Sequence, residues 1–128
     1  MSVYLDTHIV AWLATNQTRK FPRAALRIID SSDLLISPIV LVELQYLFEV
    51  RRLGKPALAM IDHLKALLGL KVSDHSFPVI AQAALFETWT RDAFDRIIVA
   101  QARSDGNSAL VSADLHIQQN YSKTIWDE

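Results

Sequence analysis

The sequence predicts an α/β domain with a central, mostly parallel sheet of four to five short strands flanked by helices. Two observations predict it. Short apolar runs rich in β-formers alternate with longer segments of helical period, and strands separated by helices pair in parallel with helices on both faces. The 128-residue chain also shows no repeat, low-complexity tract or Pro/Gly-rich linker, so residues 1–128 read as one domain around one core.

The elements follow in order. Val3–Leu5 reads as a short buried strand and Thr7 to Ala14 as a helix. Pro22 opens a second helix to about Ile29, because proline lacks only an amide that the first turn leaves unbonded. Leu34-Leu35-Ile36 is the next strand. Ser37-Pro38 then supplies an N-cap hydroxyl and a first-turn proline for a long helix ending near Gly54. Pro56 opens another helix, with Leu58, Ile61, Leu64 and Leu68 at helical spacing. Leu70-Lys71-Val72 reads as a short strand. Ser76 and Pro78 start a helix through about Glu87, and Asp92 caps one that runs to Gly106. Ala109–Val111 and Tyr121–Trp126 supply the last strands.

Composition narrows the function. Hydrophobic residues make up 51% of the chain and charged ones 21%, which excludes a disordered protein. The absence of cysteine excludes a disulfide scaffold or thiolate metal site and suits a reducing compartment. The start, Met1 to Asp6, has no basic leader, and no apolar run is long enough to span a bilayer, so the expected location is cytoplasmic, away from membranes. A net charge of −1 argues against a generic nucleic-acid binder. Cations are nevertheless clustered: Arg19, Lys20, Arg23 and Arg27 form one group, and Arg51, Arg52 and Lys55 another. On one helix, residues 20, 23 and 27 would share a face, although taken alone such a cluster reads as solvated surface.

Four acids stand where charge is expensive. Asp6 ends Val3-Tyr4-Leu5, and Glu43 interrupts Ile39-Val40-Leu41-Val42-Glu43-Leu44. Asp95 opens Ile97-Ile98-Val99-Ala100, and Asp114 lies just past Ala109-Leu110-Val111. Desolvating an unpaired carboxylate costs several kcal/mol or neutralises it, so four beside the core call for a shared cation. Ligands of open α/β sheets bind at the carboxyl ends of strands, where these acids converge if their strands are neighbours. Each acid also has a plainer role. Asp6 can cap a helix at Thr7, Asp92-Ala93-Phe94-Asp95 resembles a capping box, and Asp114 can cap the turn through His116. Glu43 has the weakest such alternative, being apolar-flanked with no local cation.

Oxygen-only ligation suits Mg²⁺ or Mn²⁺ and not zinc. His8, His63, His75 and His116 form no ligand motif, and no Walker lysine, GxGxxG or GxSxG pattern occurs. Acids without a nucleophilic side chain point to metal-assisted attack of water on a phosphodiester.

The same residues resemble a known family. Val3-Tyr4-Leu5-Asp6-Thr7-His8, Ser37 through Leu44, Asp92 through Ala102, and Leu110 through Asp114 together resemble a PIN-domain ribonuclease, closest to the VapC-type toxins of bacterial toxin–antitoxin pairs. The resemblance covers essentially the whole chain, in order and spacing. It implies a three-layer PIN-like fold and a Mg²⁺- or Mn²⁺-dependent endoribonuclease acting on RNA, usually a homodimer held inactive by a small cognate antitoxin. By position, Asp6, Glu43, Asp95 and Asp114 match the family's acidic quartet, and Thr7 and Ser112 its supporting hydroxyls. Asp92 stands where the subgroup often has a further acid, a possible metal ligand, with Ala93 in place of the usual proline. Arg96, with Arg23 and Arg27, is the expected contact for RNA phosphate, Arg96 alternatively pairing with Asp92. Leu44, Leu47, Phe48 and the Leu58-to-Leu68 stripe are the expected dimer surface. Two alternatives remain: a receiver-like Mg²⁺-binding signalling domain, which should have an acidic pair after the first strand and a late lysine, and a non-catalytic PIN-like binding module.

Overall fold

Five strands form one sheet in the computed structural model, which describes residues 1–127: β1 Ser2–Leu5, β2 Asp33–Ile36, β3 Lys71–Val72, β4 Ala109–Val111 and β5 Thr124–Ile125. Their order is β3-β2-β1-β4-β5, and every pairing is parallel. Tyr4 stands opposite Leu35 on one side and Leu110 on the other, so β1 is the central strand. Val3, Tyr4 and Leu5 are accordingly buried, as a strand covered on both faces must be.

Seven helices cover the sheet: α1 Thr7–Ala14, α2 Arg23–Ser31, α3 Ile39–Glu49, α4 Ala57–Leu68, α5 Phe77–Ala84, α6 Ala93–Ser104 and α7 Leu115–Asn120. None of the helices among the described residues is long and apolar enough to cross a membrane. Pro22 and Pro56 immediately precede α2 and α4, and the Ser37 hydroxyl accepts from the Ile39 amide at 3.4 Å as α3 starts. The chain leaves β1 for β2 on one side and returns from α6 to β4 on the other. The order reverses between β1 and β4, and open α/β sheets hold ligands at the carboxyl ends of the strands at such a switch point.

Four expectations need correction. The helix after Pro38 ends at Glu49, five residues before Gly54. Arg51, at φ +63°, donates its amide to Phe48 and Arg52 donates to Leu47, a left-handed closure usually built on glycine. The segment after Asp114, read as a turn, is the helix α7. Lys20 lies in a separate 3₁₀ turn, Thr18–Lys20, so only Arg23 and Arg27 share a helix, one turn apart. Finally, Leu44, Leu47, Ile61 and Leu64 are core residues, leaving from those stripes only Leu58 strongly exposed. α4 packs against both α1 and α3, so its apolar stripe faces the protein interior.

Candidate active site

The residues at the switch point are tied into one hydrogen-bonded chain. Asp6, only 5% exposed, caps α1 by accepting from the Thr7 amide at 2.8 Å. Its other oxygen accepts from the Ser112 hydroxyl at 2.6 Å, a contact between segments 106 residues apart. The Ser112 oxygen in turn accepts from the Asp114 amide at 3.1 Å. The Thr7 hydroxyl donates to Glu43 of α3. Glu43, Asp6 and Asp114 are thereby linked through Thr7 and Ser112, and Glu43 has a hydrogen-bond donor that its local sequence does not supply.

The remaining acids come from α6. Asp92 accepts from the Asp95 amide at 3.0 Å and so caps the helix. Asp114 likewise caps α7 through the Ile117 amide at 3.0 Å. Capping and site placement are therefore compatible: a cap fixes the carboxylate at a helix start, and each helix start faces the site. Arg96 turns away from Asp92 and donates Nε to the Thr90 carbonyl at 2.9 Å, while the Thr90 hydroxyl accepts from the Asp92 amide at 3.1 Å. Thr90, 8% exposed, is a fixing residue that helical periodicity misses because it lies in the loop before the cap.

The electrostatics bind the group together. Burial, followed by repulsion from Asp92, Asp6, Asp114 and Glu43, pushes the Asp95 carboxyl up to about 7. Burial raises Asp6 above its ordinary range, against the Ser112 and Thr7 hydrogen bonds that lower it; nearby His8 also lowers it and Asp114 raises it. Burial raises Glu43 as well, opposed by Thr7 and reinforced by Asp6 and Asp92. These influences place Asp6, Glu43, Asp92, Asp95 and Asp114 in one electrostatic neighbourhood.

The neighbourhood is not a closed cage. Among the described residues, no three His, Cys, Asp or Glu side chains are set to hold a metal ion between them. The donors nonetheless fit a hard divalent cation in kind: they are carboxylate oxygens whose ionisation burial and mutual repulsion oppose, and a cation relieves both. Arg23 and Arg27 are exposed on α2, away from this hydrogen-bonded chain in sequence.

The family model described as PIN domain matches residues 3–123. The chain belongs to the PIN domain family. Its fold is also similar to a chain of the crystal structure of VapBC2 from Rickettsia felis bound to a DNA fragment from its promoter. That likeness has a TM-score of 0.68 at 18% identity and covers 99% of this chain and 98% of the other. No curated protein matches the sequence significantly. The receiver-like alternative falls on both counts, since a flavodoxin-like receiver has the strand order 2-1-3-4-5, whereas this PIN domain has 3-2-1-4-5.

Proposed function

We propose that residues 1–128 act as a single catalytic unit: a cytoplasmic, divalent-metal-dependent endoribonuclease that hydrolyses RNA phosphodiester bonds as the VapC-type toxin of a toxin–antitoxin pair. One observation carries the reading. A hydrogen-bonded chain from Glu43 through Thr7, Asp6 and Ser112 to Asp114 fixes acids around Asp95, which they repel. A fold has little reason to gather such charges unless a cation and an anionic substrate use them. Asp6, Glu43, Asp95 and Asp114 would hold Mg²⁺ or Mn²⁺, with Asp92 at the rim. When bound, the ion would supply Lewis-acid stabilisation of charge growing on the phosphodiester oxygens. The protein's own part is orientation. Ser112 and Thr7 keep the Asp6 and Glu43 oxygens in place, and burial keeps bulk water from Asp6.

An acidic site repels RNA, so cations at the rim must draw it in. Arg96 is nearest in sequence to the acids, with Arg23 and Arg27 further out on α2. Purified protein is expected to cleave RNA with Mg²⁺ or Mn²⁺, and EDTA to stop it reversibly. Changing Arg23 and Arg27 to Gln should weaken RNA binding and lower the salt slope by roughly 1.4, at about 0.7 per lost single-strand phosphate contact, without moving the cut site. Cleavage unaffected by EDTA would sink the metal reading. An unchanged affinity and slope would return both arginines to solvated surface.

Two partner proposals accompany this. A groove of about 470 Å³ runs between α3 and α4 and is lined by Leu41, Val42, Tyr46 and Leu58. It suits an apolar segment of a cognate antitoxin, whose arginine would engage the acids bidentately. A homodimer would use another surface, Phe77 and Val79 of α5 with Leu85 and Phe86 just beyond it, where Phe86 is 82% exposed. Light scattering should then give twice 14.4 kDa, and a monomer at tens of micromolar would refute the dimer.

A further inference from the structure

α7 poses a mechanical problem. It carries Asp114 at its cap, Asp114 and Asp95 repel, and a six-residue helix has little stability of its own. Something outside the acids must hold it in place.

Ile117 anchors the middle of α7 in the core, and the loop after α5 adds a hold at its ends. Glu87 is 5% exposed, and an acid so buried requires strong partners. Arg103 of α6 provides a two-pronged contact, Nε to Oε2 at 2.9 Å and Nη2 to Oε1 at 3.2 Å. The Trp89 indole Nε1 donates to the same carboxylate at 2.9 Å. Trp89 then meets His116, in the first turn of α7, ring to ring at 5.0 Å and 86°. Arg103 reaches the other end of α7. Its guanidinium lies 4.9 Å from the Tyr121 ring centre, and Nη2 donates to the Asn120 carbonyl at 3.4 Å. One buried carboxylate thus organises grips on both ends of the helix. The loop continues into Thr90, which fixes the Asp92 amide and Arg96 at the start of α6.

We propose that Trp89, oriented by Glu87 and Arg103, is a positioning residue that holds α7, and so Asp114, at working distance from the α6 acids. The inference rests on the metal-site reading above. A purely structural staple would affect the whole fold alike, whereas a positioning residue acts on α7 and on cation affinity selectively.

Three variants separate these roles. Trp89→Leu removes both the ring contact and the indole N–H. His116→Ala removes the ring contact from an exposed position, so it tests the inference even if the Leu variant does not fold. Trp89→Phe keeps a ring against His116. Metal-free protein is followed by hydrogen exchange, and Mn²⁺ binding by calorimetry. Trp89→Leu and His116→Ala should each speed amide exchange around Ile117 roughly tenfold while β1 and α1 exchange as before. Both should weaken Mn²⁺ binding roughly tenfold, and Trp89→Phe should restore most of each effect. Wild-type α7 exchange or Mn²⁺ affinity in His116→Ala, or faster exchange spread evenly over the fold, would overturn the inference. A wild-type protein that takes up no Mn²⁺ would overturn the metal-site reading itself, and this inference with it.

Discussion

Asp95→Asn is expected to abolish RNA cleavage while making the metal-free protein more stable. The two effects share a cause. Asp95 is half-buried at the start of α6, and four other carboxylates oppose its charge. Asn keeps the shape and removes the charge, so the repulsion disappears together with the donor proposed for the cation. Solvent screens much of the energy implied by a carboxyl at about 7, which leaves a stabilisation on the order of 1–2 kcal/mol. For a domain of this size that corresponds to a rise in melting temperature of roughly 3–8 °C in EDTA. Cleavage should fall by about a hundredfold or more, the scale of losing one transition-state electrostatic contact. Melting curves with and without Mg²⁺ complete the test: the wild type should gain from the ion and the Asn protein much less. Normal cleavage by Asp95→Asn would remove Asp95 from the site. A lower melting temperature in EDTA would mean that some contact, not repulsion, dominates its surroundings.

The central strand and the acids beside it were legible in the sequence because burial chemistry is local: a carboxylate ending Val3-Tyr4-Leu5 is conspicuous wherever the strand lies. What sustains those acids was legible only through the family resemblance, which marked Thr7 and Ser112 as supporting hydroxyls without saying which acid each one holds. Ser112 reaches Asp6 across 106 positions and Thr7 reaches Glu43 across 36, contacts that only the β2-β1-β4 adjacency creates. α7 escaped because six residues hold too little period to distinguish a helix from a turn. The closure after Glu49 escaped because Arg51 occupies a left-handed position that glycine would have signalled. Leu44, Leu47, Ile61 and Leu64 were misplaced for a different reason: an apolar stripe marks a buried face without saying whether the protein or a partner covers it. Their near-zero exposure gives the face to the core. Trp89 is the converse, a loop aromatic with no periodic signal whose role depends on Glu87, Arg103 and His116.

Metal-free stability should fall as pH rises from about 4 to about 7, and added Mg²⁺ should cancel the fall. The sign follows from proton counting. The Asp95 carboxyl lies at about 7 in the folded protein against an ordinary 3.8, so between those values the folded state binds more protons than the unfolded chain. Unfolding then becomes easier with each step up in pH, whereas below the window both states are protonated and no penalty exists. Burial shifts Asp6 and Glu43 in the same direction, so they add to the trend. A cation held by the ionised acids of the folded state, as proposed, would at a hundredfold excess over its dissociation constant contribute about 2.7 kcal/mol. Groups elsewhere titrate as well, so the informative quantity is the difference between wild type and Asp95→Asn across pH. In EDTA, the Asn variant should gain stability over the wild type steadily from pH 4 to pH 7 and hold a constant lead above it. In saturating Mg²⁺ the lead should vanish or reverse. A lead that shrinks with rising pH in EDTA would show an Asp95 carboxyl held below its ordinary range, and the crowded, charge-strained site would have to be abandoned.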